Sequence, residues 1–285
     1  MIRDILERYG VYEFAHIDAK ACPAGNRRLH GALPENCRVV FALFPYYVED
    51  TAPGIAKFAA VPDYHSFAKE LFDAVCEYVG GKYPDAYIRG FADHSPFDER
   101  RGAAAAGLGV LGMNGLLIND RCSSFFCIGE LVCTLGAKEL CAEGIPDADG
   151  HEIGRCHGCG ACAAACPGRC AGSDDRITCA SALNQMKRCP TEEEKAIILK
   201  SGYIWGCDVC QLVCPYTKHA KDRGTLETPI EFFKNGAIQK SVGEAVRNMS
   251  DEEFGKYPFA WRKRDIIERN IRLFESAKKD GKCGD

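Results

Sequence analysis

The stretch CHGCGACAAACPGRC, residues 156 to 170, sets its first four cysteines at the spacing CxxCxxCxxxC, with a proline directly behind the fourth. A structural zinc site takes four ligands, and these usually come as two pairs separated by a longer span. The close third cysteine and the Cys-Pro ending instead match the bacterial ferredoxin run, in which three cysteines bind one 4Fe-4S cluster and the fourth binds a second. The stretch therefore predicts a ferredoxin-like domain with two clusters.

A second run, CDVCQLVCP at 207 to 215, supplies three more cysteines and again ends in Cys-Pro. Two clusters need eight thiolates, and the two runs provide seven. Cys170, Cys179 and Cys189 lie between the runs, so each is a candidate for the eighth ligand. With the usual crossing of the fourth ligand, the first cluster takes Cys156, Cys159, Cys162 and Cys214. The second takes Cys166, Cys207, Cys210 and one of the three candidates.

The chain has 285 residues and 18 cysteines, so a disulfide framework is the main alternative interpretation. Disulfide-rich chains are usually short and exported. Here the N-terminus reads as an ordinary amphipathic stretch without an export signal, and no apolar run reaches the length of a membrane span. We expect a cytoplasmic protein with no membrane association. The remaining cysteines are interpreted as small buried hydrophobes or free thiols: Cys22, Cys37, Cys76, Cys122, Cys127, Cys133, Cys141 and Cys283.

The part of the chain before the cysteine runs predicts a mixed α/β domain. Apolar stretches at 37–47, 86–93, 115–119 and 123–133 are strand candidates, and their parallel or antiparallel sense stays open. Residues 63–81 form an amphipathic helix pattern that Gly80 and Gly81 are expected to end, and a short helix begins at residue 99. The acidic stretch 141–154 is the linker candidate. The expected fold class is α+β, with an N-terminal domain over 1–145, the double-cluster domain over 146–220 and C-terminal helices over 221–285.

Capping boxes predict two further helix starts. Thr191 and Glu194 are expected to begin a helix between the two cysteine runs, and Ser250 and Glu253 to begin another near the C-terminus. Residues 261–279 read as a terminal amphipathic helix.

Three stretches carry a resemblance to a known family. FADHSPFDERRGAAAAGLGVLGMNGLLINDRCSSFFCIGELV (91–132), FAAVPDYH (58–65) and WGCDVCQLVCPYTK (205–218) resemble segments of the epoxyqueuosine reductases. The similarity covers roughly residues 35 to 216, with a weaker echo at 250–274. It implies a cobalamin held by the N-terminal domain, two 4Fe-4S clusters beside it, and reduction of an epoxide on a tRNA-borne queuosine precursor to an alkene.

The resemblance also implies roles for individual residues. Cys179 falls on the position of a cluster ligand, which makes it the eighth thiolate. Asp93 falls on the family's proton donor, next to the cofactor. Leu117, Asn119 and Ile128 fall on positions near the corrin. Removing an epoxide oxygen as water consumes protons, so an acid near the cobalt is required, and burial against a large apolar ring would raise its pKa.

Two departures from the family pattern bear on the substrate. Met113 stands where the family usually has lysine, and Pro62 where it has arginine, so positive charge is lost where phosphate would lie. The net charge of −4 gives no overall attraction to nucleic acid. The basic residues of the terminal helix are the remaining candidates for a surface that faces tRNA: Arg262, Lys263, Arg264, Arg269 and Arg272.

Three functions therefore stay open. The first is epoxyqueuosine reduction on tRNA. The second is a cobalamin-dependent reductase of a small molecule, or a reductive activator of a corrinoid protein. The third is a plain ferredoxin-type electron carrier, which the intact Asp93 and glycine-rich loop disfavour. In each case we expect a monomer that receives electrons from a partner such as a ferredoxin or flavodoxin.

Overall fold

The computed structural model describes residues 1–173 and 175–279. The strands are β1 (Phe14–Asp18), β2 (Arg38–Pro45), β3 (Ile88–Ala92), β4 (Val110–Leu111), β5 (Leu117–Ile118) and β6 (Phe126–Cys133). The helices are α1 (Ile2–Arg8), α2 (Arg27–His30), α3 (Lys57–Ala60), α4 (Tyr64–Lys82), α5 (Glu99–Ala105), α6 (Ala137–Ala142), α7 (Ala161–Ala165), α8 (Ala180–Asn184), α9 (Glu192–Ser201), α10 (Val209–Leu212), α11 (Pro215–Asp222), α12 (Glu231–Asn235), α13 (Val242–Asn248), α14 (Asp251–Phe254) and α15 (Arg264–Lys279). Short 3-10 turns lie at Ala19–Ala21 and Pro258–Trp261.

The N-terminal half is built on a four-stranded sheet in the order β1-β2-β6-β3. All three strand pairs are antiparallel, which settles the sense that the sequence left open. The strands predicted at 37–47, 86–93 and 123–133 are present as β2, β3 and β6. The stretch 115–119 contributes β5, which pairs only with β4 in a separate two-stranded hairpin. The mixed α/β character predicted for this region is confirmed.

Strand β2 is buried along its whole length because both faces of the sheet are covered. Val40, Ala42 and Phe44 point into one core, which α4 covers with an apolar stripe. The alternate residues Val39, Phe41 and Leu43 point into a second core, which α5 covers with its alanines. A strand covered on both faces reads as a continuous apolar run, as residues 37–47 do.

Helix α4 begins where the sequence predicts, with the side chain of Asp63 accepting from the backbone N–H of His65. The prediction that Gly80 and Gly81 end it is wrong, because the helix continues to Lys82. Both glycines are exposed and face open space, so they remain helical without a packing penalty. The two capping boxes at Thr191 and Ser250 are present as predicted.

The C-terminal helices share a third core with the cysteine region. Trp205, two residues before the second cysteine run, packs there with Phe259 and Ile267, and with Ala59 from α3. Residues of the 226–233 segment, including Phe233, pack in a different core, the one on the α4 side of the sheet. The cysteine region is thus packed between the N-terminal sheet and the C-terminal helices.

The stretch 141–154, predicted as a linker, lies along the N-terminal elements. Glu143 is buried and accepts from the backbone N–H of Ile2 and from Tyr78, Lys82 and Tyr83. Asp149 accepts from the backbone N–H of Asp18 at the end of β1. These contacts fasten the segment to the sheet, and the boundary at residue 145 stays a prediction.

Candidate functional site

The four cysteines assigned to the first cluster line one cavity. Cys156, Cys159, Cys162 and Cys214 surround an apolar space of about 160 Å³, which His157 and Tyr216 also line. The rings of His157 and Tyr216 stack with centroids 5.7 Å apart. We refer to the four cysteines as the first cysteine set. An apolar cavity with four thiols in its wall has the donor set and surroundings that a 4Fe-4S cluster needs.

Two glycines bend the chain around this cavity. Gly158 and Gly160 have φ of 65° and 78°, in the left-handed region that residues with a Cβ seldom adopt. The turns bring Cys156, Cys159 and Cys162 to one cavity. The fourth member, Cys214, immediately precedes α11, where Pro215 occupies the first helical position that suits its fixed φ.

The second cysteine set, Cys166, Cys179, Cys207 and Cys210, also comes together. Burial raises the pKa of Cys210 to about 12, and the next largest causes are the neighbouring Cys179 and Cys166. Burial likewise raises the pKa of Cys207 to about 12, with Cys210 and Cys179 contributing. Thiolate is the ligand form, so metal binding at both positions must release protons.

Gly168 explains how Cys179 reaches this set. A Cβ on Gly168 would lie 1.7 Å from the carbonyl oxygen of Thr178, so only glycine permits the two chain segments to touch. Thr178 Oγ1 donates to the carbonyl of Gly168 at 2.7 Å. The contact holds Cys179 beside the run that contains Cys166.

The other two candidates for the eighth ligand lie in different surroundings. Cys170 is buried, and its Sγ is 3.7 Å from Sγ of Cys166. Cys189 is exposed. Among the cysteines interpreted as buried hydrophobes or free thiols, Cys22, Cys37, Cys122 and Cys133 are buried. Cys283 lies outside the described residues.

A turn between β4 and β5 touches both cysteine sets. The backbone N–H of Met113 donates to Sγ of Cys156 at 3.3 Å. The buried side chain of Asn114 hydrogen-bonds Cys210 and lowers the pKa of that thiol against the stronger effect of burial. The glycine-rich stretch of the N-terminal half is therefore the element that meets both candidate clusters.

Asp93 follows directly after β3 and has φ of 61°. Left-handed backbone at a residue other than glycine is uncommon and clusters at functional sites. The Tyr64 hydroxyl donates to Oδ2 of Asp93, and Nε2 of His65 lies 3.5 Å from the same oxygen. Both partners stand on the first turn of α4. The Asp93 side chain is 64% exposed, so one side of the carboxylate faces outward.

The electrostatics of this group put the proton on His65. Nδ1 of the imidazole is 2.8 Å from Oδ1 of Asp63, so a carboxylate faces each ring nitrogen. Hydrogen bonds to Asp63 and Asp93 raise the pKa of His65 to about 10. The His65 hydrogen bond in turn lowers the pKa of Asp93, with help from Tyr64. The pKa of Asp93 is therefore lowered, whereas the sequence predicts that burial raises it. The reason is that the charged His65 imidazole contacts the Asp93 carboxylate.

Two further carboxyls lie behind Asp93. Burial, followed by the charge of Asp93, raises the pKa of Glu99 to about 7. Burial raises the pKa of Glu130 to about 8, and Ser95 Oγ contacts its Oε2. Within residues 1–173 and 175–279, Oε1 of each glutamate lacks a hydrogen-bond partner. Both groups hold a proton over part of the neutral pH range.

The nearest titratable partner of Asp93 was missed at the sequence level. His94 is next to Asp93 in the sequence, but its Nε2 faces the Asn26 amide at 3.5 Å. His65 fills that place from α4. The signal was present in the stretch FAAVPDYH, where Asp63 caps the helix and sets Tyr64 and His65 on its first turn.

A basic cavity adjoins the first cysteine set. It has a volume of about 450 Å³, opens to solvent, and includes Cys156, Gly158 and Met113 in its wall. Its charged lining comprises Arg100, Arg101, Arg155, Arg176 and one acid, Asp98. In the described part of the chain, no hydrogen bond or ion pair joins the guanidinium groups of Arg101, Arg155 and Arg176 to a protein acceptor. This four-arginine cavity is therefore poised for an anionic ligand.

Leu117, Asn119 and Ile128, predicted near the corrin, are buried. Leu117 and Ile128 pack in the core on the α5 side of the sheet. The Asn119 amide donates to the Leu108 carbonyl and to Glu13, while its oxygen accepts from the backbone N–H of Arg121. Asn119 thus holds a turn, and contact of these three residues with a cofactor stays a prediction.

Two of the five basic residues predicted to face tRNA on the terminal helix are engaged within the protein. Arg264 donates to the carbonyls of Val246, Met249 and Ser250. Arg269 donates to carbonyls of the α8–α9 connection, at Met186 and Arg188. These guanidinium groups fasten the helix to the protein. The tRNA-facing role of this helix stays a prediction, and the four-arginine cavity is a second candidate surface.

Comparison with known proteins identifies both the cysteine region and the chain as a whole. A family model described as a 4Fe-4S double cluster binding domain matches residues 155–217. The epoxyqueuosine reductase of Leadbetterella byssophila is 34% identical over 248 residues, which cover 82% of this chain and 75% of that protein. The chain belongs to the epoxyqueuosine reductase family. The Staphylococcus aureus family member is 27% identical over 218 residues, and the match spans only 53% of its length.

Solved structures of this family share the fold. The epoxyqueuosine reductase of Streptococcus thermophilus aligns over 96% of this chain and 79% of its own, with a TM-score of 0.75 and 19% identity. Another epoxyqueuosine reductase, solved with an epoxyqueuosine-modified tRNA-Tyr stem loop, aligns with a TM-score of 0.72 and 20% identity over 96% of this chain and 79% of its own. The α+β fold with a double-cluster domain is confirmed. Among residues 1–173 and 175–279, no helix has the length and apolar character to cross a bilayer.

Proposed function

We propose that this chain reduces the epoxide of epoxyqueuosine to an alkene, with Asp93 as the group that passes protons to the leaving oxygen. The observation that carries the proposal is the contact between the His65 imidazole and an exposed carboxylate on a residue with φ of 61°. A charged imidazole held between two carboxylates is a proton store, and strained backbone is typical of a reacting position.

The overall reaction consumes two electrons and two protons and releases water. We propose that the two cysteine sets bind two 4Fe-4S clusters that deliver the electrons one at a time. Asp93, a carboxylate at rest, relays a proton to the substrate oxygen from His65, whose raised pKa keeps it charged at neutral pH. Glu99, a second acid beside Asp93, supports recovery of the other proton.

We propose that cobalamin binds in and around the four-arginine cavity. The fit rests on three features: guanidinium groups for the phosphate of the cofactor's nucleotide tail, the Cys156 side of the first cysteine set in the same wall, and Leu111 and Met113 as apolar contacts. When bound, cobalamin supplies a low-valent cobalt that takes electrons singly and meets the substrate on an open face. The residues around the cavity orient it and exclude water.

The substrate we propose is the modified tRNA anticodon loop. The support is the solved family member that holds such a stem loop, together with the guanidinium groups of the four-arginine cavity that are left over when the single phosphate of the cofactor's tail is paired. Loss of the family's lysine at Met113 removes one cation from the cavity wall, but four arginines remain. We propose further that the chain acts as a cytoplasmic monomer reduced by a ferredoxin or flavodoxin.

The test is single-turnover reduction with anaerobically reconstituted protein. Cobalamin and a chemical reductant are added, and the product on an epoxyqueuosine-modified stem loop is read by mass spectrometry. Queuosine should form only when iron, sulfide and cobalamin are all present. Reduction of the free modified nucleoside with no reaction on the stem loop would instead establish the small-molecule reductase. If the clusters reduce but neither substrate reacts, the protein is an electron carrier and the proposal is wrong.

A further inference from the structure

Five cysteine sulfurs, one more than a cluster uses, surround the second candidate cluster. The fifth is Cys170, which is 4% exposed and lies 3.7 Å from Cys166, sulfur to sulfur. It is also a hydrogen-bond neighbour of Cys179. The ferredoxin spacing accounts for three members of the second cysteine set and leaves Cys170 as one candidate for the fourth. The family resemblance assigns that place to Cys179 and gives Cys170 no counterpart.

The position of Cys170 suits a hydrogen-bond donor. Its Sγ lies within hydrogen-bond distance of Sγ of Cys166, and a cluster ligand binds as thiolate. With Cys166 as the ligand, Cys170 is therefore the sulfur of this pair that has a hydrogen to donate. Because the Cys170 side chain is buried, water does not compete for the contact.

We propose that the thiol of Cys170 donates a hydrogen bond to the Cys166 thiolate and thereby raises the reduction potential of the second cluster. The inference rests on the ligand set proposed above. Reduction adds negative charge to the cluster and its sulfurs, so a donor to a ligand sulfur stabilises the reduced state more than the oxidised one. In the first cysteine set, the corresponding donor is the backbone N–H of Met113, which no side-chain substitution removes.

A redox titration of the reconstituted holoprotein, followed by electron paramagnetic resonance, tests the role. Cys170→Ala removes the donor with a smaller side chain, Cys170→Val removes it with a larger one, and Cys170→Ser restores an O–H donor. The exposed Cys189→Ala is the matched control. One midpoint potential should fall in the Ala and Val variants, by up to about 59 mV for a tenfold change in a one-electron equilibrium. The midpoint potential of the other cluster should not change. In Cys170→Ser and Cys189→Ala, both midpoint potentials should stay near those of the parent protein.

Iron content separates the possible failures. About eight iron per chain in all four variants, with both midpoint potentials unchanged in Cys170→Ala and Cys170→Val, would overturn the inference and leave the ligand set intact. Loss of about half the iron in Cys170→Ala, Val and Ser alike would make Cys170 a ligand, and would overturn both the inference and the assignment of Cys179. A fall in one potential that Cys170→Ser also shows would mean that packing, and not the hydrogen bond, sets the value.

Discussion

Nε2 of His65 lies 3.5 Å from Oδ2 of Asp93, although the two residues belong to different elements, the first turn of α4 and the loop after β3. The other ring nitrogen is held by Asp63. The carboxylate that faces outward is thus backed by a charged imidazole, and the two act together in the predictions on activity and pH.

Asp93→Asn should reduce turnover at least about 100-fold, because an amide of the same shape cannot deliver a proton. His65→Gln should also reduce turnover, since Asp93 then loses the group that reprotonates it. Iron, sulfide and bound cobalamin should stay at parental levels in both. Single-turnover kinetics on the modified stem loop measure the effect, with His94→Gln as the control expected to react at a rate near the parent's. Parental rates in Asp93→Asn would show that the proton comes from elsewhere.

Stability should depend on pH through His65. Its pKa rises from 6.5 in the unfolded chain to about 10 in the folded one, so the folded state binds the proton more tightly. The stabilisation is fully present below about pH 6.5 and declines as the pH rises to about 10. Denaturant unfolding of the parent and of His65→Gln, compared from pH 6 to 10, should show a stability difference that shrinks with pH. A difference that is constant over this range would argue against the charged pair.

Cys179→Ser should lose most of one cluster, leaving about four of the eight iron that two clusters hold. The reason is that Cys179 completes the second cysteine set, whose Cys207 and Cys210 it neighbours. Iron and labile sulfide assays on reconstituted protein measure the loss, and Cys189→Ser is the control. Equal iron in the two proteins would rule out Cys179 as the eighth ligand.

Gly168→Ala should damage the same cluster without touching a ligand. The new Cβ would collide with the carbonyl oxygen of Thr178, so the segment carrying Cys179 must move away from Cys166. We expect iron loss similar to that of Cys179→Ser, measured in the same assay. Gly150→Ala is a suitable control, since its Cβ would meet open space and the strain of its positive φ is confined to an exposed loop. Full iron in Gly168→Ala would show that the loop can adjust.

Binding of the tRNA stem loop should weaken with salt through the four-arginine cavity. Arg155→Ala and Arg176→Ala should each lower the affinity and reduce the slope of log K against log salt, by roughly 0.7 to 0.9 for each phosphate that the arginine neutralises. Arg272→Ala, on the terminal helix where the guanidinium pairs with Glu268, should leave the slope unchanged. Fluorescence anisotropy over a salt series measures all three. The reverse pattern would return the tRNA surface to the terminal helix.

The local elements were predictable because each has a signal within a few residues. Continuous apolar residues predicted β2, helical spacing predicted α4, and Cys-Pro spacing predicted seven of the eight cysteines in the two sets. Strand β1 was missed because it is only five residues long and carries a buried histidine, His16, whose Nδ1 accepts from Arg38. When the hydrogen-bond partner of a buried polar side chain is distant in the sequence, no local pattern of residues predicts that the side chain is buried.

The site features that the sequence did not predict depend on contacts between segments that are distant in the chain. His94 adjoins Asp93 in sequence but turns to Asn26, whereas His65 arrives from another element. Spacing left Cys170 as one of three candidates for the eighth ligand and did not predict its contact with Cys166, which depends on how the chain folds back after Pro167. The arginines of the terminal helix formed a basic pattern, but the pattern did not show that backbone carbonyls occupy Arg264 and Arg269.

The crossed ligand sets that we propose also have a consequence for the time at which the clusters can form during synthesis. A nascent chain that has emerged only as far as residue 206 carries three members of the first set and two of the second, so neither cubane has its four ligands. The interval between the emergence of Cys156 and that of Cys214 is roughly 3 to 12 s at ordinary elongation rates. During that time the early thiols stand open to oxidation or to the wrong metal. Both clusters therefore become insertable almost together, at the end of this segment, and each depends on the last run of cysteines leaving the ribosome.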